Sequence, residues 1–239
     1  MNQWVQELLA LALLDEAASE QAVFRKIEAT AHALGFEYCA YGRRGPLPLS
    51  KPAVRMINNY PASWQTHYAR AGYLAVDPTV AHGRRSTQPL VWNDAIFAAT
   101  PELWADARAA GLRVGWAQSS LDGYGVGGML SLVRSKEPLG HSELAAKEAA
   151  MRWLTQVTHL TMSRVMGPAP QGHASVSLTP RETEILKWHA DGKTAEEISD
   201  ILLISVDTVK FHTRNAAQKL GAPNKTAAVV RAVMLGLLN

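Results

Sequence analysis

Cysteine is almost absent: Cys39 stands alone in 239 residues, so no internal disulfide can brace the chain and disulfide-stapled secreted scaffolds are excluded. Its neighbours in FEYCAYG are those of an inert, buried thiol. Long apolar runs are also missing. Leu8–Leu14 is far too short to span a bilayer, and with no Lys or Arg before it, it does not read as a secretion signal. A cytoplasmic protein without membrane attachment is expected. No HExxH and no GxSxG occurs, and the eight histidines are dispersed without metal-ligand spacing, which leaves a hydrolase with neither a metal nor a nucleophile. The N-terminus lacks an early strand ending in paired acids, which speaks against a phosphoacceptor domain. No repeat or low-complexity tract is present. No enzyme, metal site or cofactor is expected. Finally, no Asp or Glu follows Asp207.

That last absence leads to what is there. Beyond Asp207 the formal charges are Lys210, Arg214, Lys219, Lys225 and Arg231, a one-signed field suited to phosphates, whereas 179–200 is net acidic. Lys193–Leu220 reads as two short helices joined by a tight turn. Ile198, Leu202, Val206, Val209 and Leu220, with Ala195, Ala216 and Ala217, recur at helical spacing and predict one inner face. Ser205 is a good N-cap for the second helix, since its hydroxyl can accept a free first-turn N–H. Asp207, Lys210 and Arg214 then point outward. A helix-turn-helix facing DNA follows, with a plain solvated basic helix as the alternative that charge alone allows.

The run Leu178–Trp188, then Gly192-Lys193-Thr194, Glu197-Ile198, Ser205, Thr208-Val209-Lys210, His212, Lys219-Leu220-Gly221 and Asn224-Lys225 resembles the DNA-binding domain of LuxR-type transcription regulators over essentially all of 176–239. The resemblance implies an all-α, four-helix domain with Ser205–Leu220 as recognition helix and 224–237 as a last helix that helps these domains pair. It implies DNA contact by Ser205, Asp207, Thr208, Lys210, Phe211, His212 and Arg214, and packing roles for Glu182, Leu186 and Gly192.

Length leaves room for a second domain. The Pro- and Gly-containing stretch 166–175 reads as a linker, which divides the chain into 1–165, 166–175 and 176–239. Helical patterns at about 3–15, 19–34, 61–71, 101–110 and 141–165 surround strand-like runs at about 36–42, 53–58, 89–92, 113–120 and 124–134. The last two strands, joined at Leu121-Asp122-Gly123, look like a hairpin. An α+β fold is expected: an α-β-α sandwich with a central, largely antiparallel sheet, able to hold a ligand between sheet and helices. Gly123–Gly128 fits GxGxxG, with Glu143 as a tempting acidic partner, but it leads into the strand-like MLSLV, so a dinucleotide site is not expected. Arg43-Arg44 and Arg84-Arg85 read as solvated surface.

Tyr60–Val80 is the other informative stretch. Trp64 and Tyr68 lie one helical turn apart and share a face, and Asp77-Pro78 closes the loop that follows. By themselves these residues fit either core aromatics beside a turn carboxylate or a pocket for an amphipathic ligand, because indole N–H and phenol O–H are donors on apolar bodies. Trp64, Tyr68, Asp77, Pro78, Trp92 and Gly115 resemble in order and spacing the set that marks the acyl-homoserine-lactone-binding domain of quorum-sensing LuxR-type regulators, a likeness extending over most of 20–165. It implies that Trp64 donates to the lactone carbonyl and Asp77 accepts the amide N–H. Tyr60 and Ser131 match positions that bond the amide carbonyl, with Tyr68 and Trp92 packing around the head group. Ala40, Gly42, Val54, Met56, Val80 and Met129 match positions lining the acyl chain. Arg44 departs from the apolar residue of some relatives, which leaves its direction open. The whole implies a homodimer that binds an N-acyl-homoserine lactone and a palindromic site on double-stranded DNA, with RNA polymerase as a partner in an activator. A relative sensing another small amphiphile, or acting without ligand, is the alternative; an acyl-lactone hydrolase is the rival from another class.

Overall fold

Ser19 opens the first described helix, its hydroxyl accepting the N–H of Ala22. The computed structural model describes Gln6 and residues 19–122, 125–166 and 176–238; the helical pattern at 3–15 (Gln6 apart), most of the linker, Gly123 and Tyr124 lie outside them. The chain divides into two compact units, an α/β unit and a helical unit.

In the α/β unit, α1 (Glu20–Ala33) turns Val23, Phe24, Ile27 and Ala31 inward. The strands are β1 (Tyr38–Arg44), β2 (Val54–Asn58), β3 (Leu90–Val91), β4 (Val114–Leu121) and β5 (Gly127–Arg134). They form one sheet in the order β2-β1-β5-β4-β3, with every pair antiparallel. The helices between strands are α2 (Ala62–Arg70), α3 (Pro78–Gly83) and α4 (Pro101–Ala109), and α5 (His141–Val165) follows the sheet.

Because side chains alternate along a strand, the pairing register sorts the sheet into two faces. Ala40 stands opposite Ser131, which stands opposite Ala117; Gly42 is opposite Met56 and Met129; Arg44 is opposite Val54 and Gly127. These share one face with Tyr38, Val133 and Gly115. The other face carries Cys39, Tyr41, Trp116, Leu130 and Leu132, all at most 1% exposed, in a core with α1 and with Met151, Leu154 and Met162 of α5. Tyr38 and Val133 instead join Trp64 of α2 and Leu103, Trp104 and Ala107 of α4. Helices on both faces of an antiparallel sheet make the expected sandwich.

Three expectations for this unit are corrected. The strand at 89–92 contracts to Leu90–Val91. A short helix, α3, stands where a loop end was expected: Asp77 caps it by accepting Thr79 N–H, and Pro78 occupies the first turn, where its missing N–H costs nothing. Arg43-Arg44 is not solvated surface, because neighbouring residues of an interior strand face opposite ways; Arg43 is buried on the α1/α5 side and Arg44 half-buried on the other. Arg84 and Arg85 are exposed. Glu143 is bonded to Arg134 at 2.7 Å and Lys147 at 2.7 Å, and Gly127 and Gly128 lie in β5, so no helix N-terminus follows the glycines.

The helical unit contains α6 (Pro180–Ala190), α7 (Ala195–Leu202), α8 (Val206–Lys219) and α9 (Lys225–Met234). Reciprocal caps begin α6, between Thr179 and Glu182, and α7, between Thr194 and Glu197. Gly192, at φ 87°, makes the left-handed turn between them that an L side chain resists. The expected single inner face is two clusters: Ile198 and Val209 pack with Ile185, while Ala216 and Leu220 pack with Leu186, Ala228, Ala232 and Leu235. The long α8 crosses two partners, so its inner residues divide between them.

Candidate ligand pocket and nucleic-acid interface

Trp64, Tyr68 and Tyr73 form a ring cluster on the α2/α4 side of the sheet. The Trp64 ring lies 5.7 Å from that of Tyr68 and 6.2 Å from that of Tyr73. Tyr68 donates its hydroxyl to Asp77 Oδ2 at 2.9 Å, while Asp77 Oδ1 accepts Thr79 N–H at 2.8 Å and Thr79 Oγ1–H at 2.7 Å. A carboxylate can accept about four hydrogen bonds, so one acceptor position, on Oδ2, remains. The Tyr68 phenol is pushed far up by desolvation and by the Asp77 charge it faces, which keeps it a donor.

Tyr60 packs edge-on to Tyr38 at 6.1 Å. Desolvation pushes its phenol up, the nearby Cys39 and Asp77 add to this, and a hydrogen bond with Ser131 pulls the other way. Tyr60, Ser131 and Asp77 thereby converge at one end of the small-residue face. Trp92 lies flat over Gly115: a Cβ there would fall 2.2 Å from its ring, so only glycine admits the indole. Its edge meets Phe97 at 5.8 Å and Trp104 at 6.4 Å, and its buried Nε1 has no hydrogen-bond partner.

From that end the face runs out through small residues. A Cβ at Gly42 or Gly127 would meet no atom within 4 Å. Ser131 and Ala40 are buried, Met129 and Val80 half-buried, and Val54 and Met56 are 39% and 49% exposed. Trp64 and Ser131 are thus buried, Tyr60, Tyr68, Asp77 and Trp92 half-buried, and the apolar row beyond them opens outward. α3 covers part of this face, Gly83 being so close to Met129 that a Cβ would fall 2.8 Å from its sulfur.

Tyr73, Asp106 and His67 were not singled out in the sequence. Tyr73 donates to Asp106 Oδ2 at 2.6 Å and His67 Nε2 lies 2.7 Å from the same oxygen, fastening α2 and the turn after it to α4. Tyr73 and Asp106 are far apart in sequence, and no local pattern joins them.

In the helical unit Ser205 Oγ accepts Thr208 N–H at 3.1 Å and lies 2.8 Å from Thr208 Oγ1. Asp207, Lys210, Phe211 and Arg214 are exposed along α8, with Phe211 at 55%; Thr208 and His212 are half-exposed, the His212 ring 5.3 Å from that of Phe211. Lys210 and Arg214 border a concavity with His189, Thr213, Asn224 and Lys225. Glu182 is 3% exposed; burial pushes its carboxyl up, but the ammonium of Lys219 at 2.7 Å and the Thr179 N–H more than offset this and leave it lowered. It is an internal clamp. Among the described residues no group of three or more His, Cys, Asp or Glu could hold a metal, and no helix is long and apolar enough to cross a membrane.

Residues 19–162 match the autoinducer binding domain family, and residues 176–232 match the bacterial regulatory proteins of the luxR family. This chain belongs to the LuxR family of quorum-sensing regulators. It is 43% identical to the transcriptional activator protein AnoR of Acinetobacter nosocomialis over 100% of both chains, and 46% identical to the transcriptional activator protein SolR of Ralstonia solanacearum over 93% of this chain and 94% of that one. Its structure is similar to crystalline SdiA of Escherichia coli, with a TM-score of 0.81 at 33% identity, covering 99% of this chain and 98% of that one. SdiA has also been solved in complex with octanoyl-rac-glycerol, at the same TM-score and identity, covering 99% and 95%. As a LuxR-family regulator the chain carries an autoinducer-binding domain for a small molecule and a helix-turn-helix domain for DNA.

Proposed function

We propose that this regulator binds an N-acyl-homoserine lactone within residues 1–165 and, through 176–239 beyond the linker 166–175, a palindromic promoter site as a cytoplasmic homodimer. Asp77 carries the reading: its carboxylate is held by three donors on the protein side, keeps one acceptor position, and faces a ring cluster containing Trp64. A buried ligand amide needs partners for both N–H and C=O. Asp77 accepts the N–H, Tyr60 and Ser131 donate to the amide carbonyl, and Trp64 donates to the lactone carbonyl. Tyr68 and Trp92 enclose the ring, and the acyl chain follows Ala40, Gly42, Val54, Met56, Val80 and Met129.

The ligand fills space the sheet leaves open and stabilises the unit by linkage. Along α5 the exposed residues Ala145, Ala149, Trp153, Gln156 and Leu160 recur at helical spacing, with Trp153 and Leu160 63% and 72% exposed; a second copy suits this stripe. Lys210 and Arg214 read bases, and Ser205, Asp207, Thr208, Phe211 and His212 contact the site around them. The names of AnoR and SolR favour activation, with RNA polymerase as the further partner. Intact-mass identification of the small molecule that co-purifies from cells fed a mixed lactone panel tests the assignment; a recovered intact lactone also separates binder from hydrolase. A second reading, another small amphiphile, is favoured by the SdiA complex with octanoyl-rac-glycerol. A glycerol head group offers hydroxyl donors to Asp77 in place of an amide N–H, so the mass of the co-purifying molecule, and not the loss of the Asp77 charge, separates the two readings.

A further inference from the structure

We propose that Arg44 sets the far boundary of the acyl-chain track and so selects chain length; this rests on the lactone reading above. The register puts Arg44 on the face that carries Ser131, Ala40, Gly42 and Met129, opposite Val54 on one side and Gly127 on the other. Ser131 and Gly127 are four residues apart on β5, a span of roughly 13 Å for an extended strand. An extended octanoyl chain starting at the Ser131 row stops short of the Arg44 row, and a dodecanoyl chain spans the distance.

The described surroundings of Arg44 give it no partner. Among the described residues its side chain makes no hydrogen bond or ion pair, although it is half-buried, and across the strand stand Val54 and a glycine beside which there is open space. Two strand positions before it, Gly42 also leaves space where a Cβ would stand. An alkyl chain that passes Gly42 and Met129 therefore meets a guanidinium whose remaining water it must displace, and it offers no acceptor in return. A chain that ends at the Gly42 row leaves that charge hydrated. Arg43 cannot play this part, because it lies on the opposite face of the sheet.

Purified full-length protein is tested by lactone competition with hexanoyl-, octanoyl-, decanoyl- and dodecanoyl-homoserine lactone, comparing wild type with Arg44→Met, which keeps an unbranched chain and removes the charge, and Arg44→Lys, which keeps the charge. Expected is a gain on the order of tenfold for dodecanoyl lactone in R44M, from methylenes newly buried, with octanoyl lactone unchanged and the wild-type order kept in R44K. If R44M binds all lactones in the wild-type order, or R44K gains long chains as R44M does, Arg44 is not the boundary. A wild-type protein that binds none of the four would overturn the lactone reading itself, and this inference with it.

Discussion

Replacing Asp77 by Asn separates a pocket carboxylate from a helix cap, because the two roles fall on different oxygens. Oδ1 accepts both Thr79 donors and Oδ2 accepts Tyr68. Asparagine is as good an N-cap as aspartate, and its amide oxygen can keep both bonds to Thr79. Its NH2 then occupies the Oδ2 position. Tyr68 adapts by rotating its hydroxyl to accept, since a phenol is both donor and acceptor. A ligand N–H has no such choice and meets another donor. The variant should therefore fold and lose about 1.5–3 kcal/mol of lactone binding, the scale of a charge-assisted hydrogen bond, or roughly tenfold to a hundredfold in midpoint. The assay is lactone-dependent reporter output over a concentration series, with soluble protein quantified in parallel. A soluble D77N that responds at the wild-type midpoint would refute the assignment and leave Asp77 as a cap alone.

Gly115→Ala should force the Trp92 ring off its seat, costing about 1–3 kcal/mol by overpacking, read as a lowered urea midpoint and a weaker lactone response; unchanged values would mean the strand yields instead. Glu143 is held down at about 2 by its bond to Arg134, against a desolvation that pushes it up, with Lys147 adding to the lowering. Its contribution is therefore complete above the unfolded value near 4.5 and is lost as pH falls from there through 2. Glu143→Gln should remove up to about 3 kcal/mol at neutral pH and flatten the acid limb of stability measured by denaturation across that range. Arg214→Ala should cost about 1–3 kcal/mol on the specific DNA site and relax discrimination; retained specificity in gel-shift competition would contradict base reading. About half a turn of DNA inserted between half-sites should abolish binding by the dimer, whereas unchanged affinity would point to independent monomers.

The sequence made the sandwich and the helix-turn-helix legible because both rest on periodicity and caps. Ser205 begins α8 as its hydroxyl allows, and Gly192 stands at a positive φ where only glycine is easy. What escaped was decided by neighbours distant in the chain. Asp77-Pro78 read as the end of a loop, although Asp before Pro is also an N-cap before the first helical residue; α3 has six residues, too few for a hydrophobic period to declare itself. The two arginines at 43 and 44 looked like surface because adjacent charges usually are. Only the pairing of β1 between two neighbours reveals that one goes to each side. The closeness of Trp64 and Tyr68 follows from helical spacing, but their meeting with Tyr73, and Trp92 with Gly115, depends on how layers close.

β5 is a wall with two tenants. Met129, Ser131 and Val133 look into the small-residue face, while Leu130, Leu132 and Arg134 look the other way, where Leu130 and Leu132 pack in the core that α5 completes. Whatever pushes on Ser131 from one side displaces, through a single peptide unit, the leucines against which α5 rests. The inside of the unit and the outer stripe of α5 are separated by one strand and one helix diameter. Trimming Leu130 or Leu132 would leave both surfaces chemically intact and slacken the partition between them.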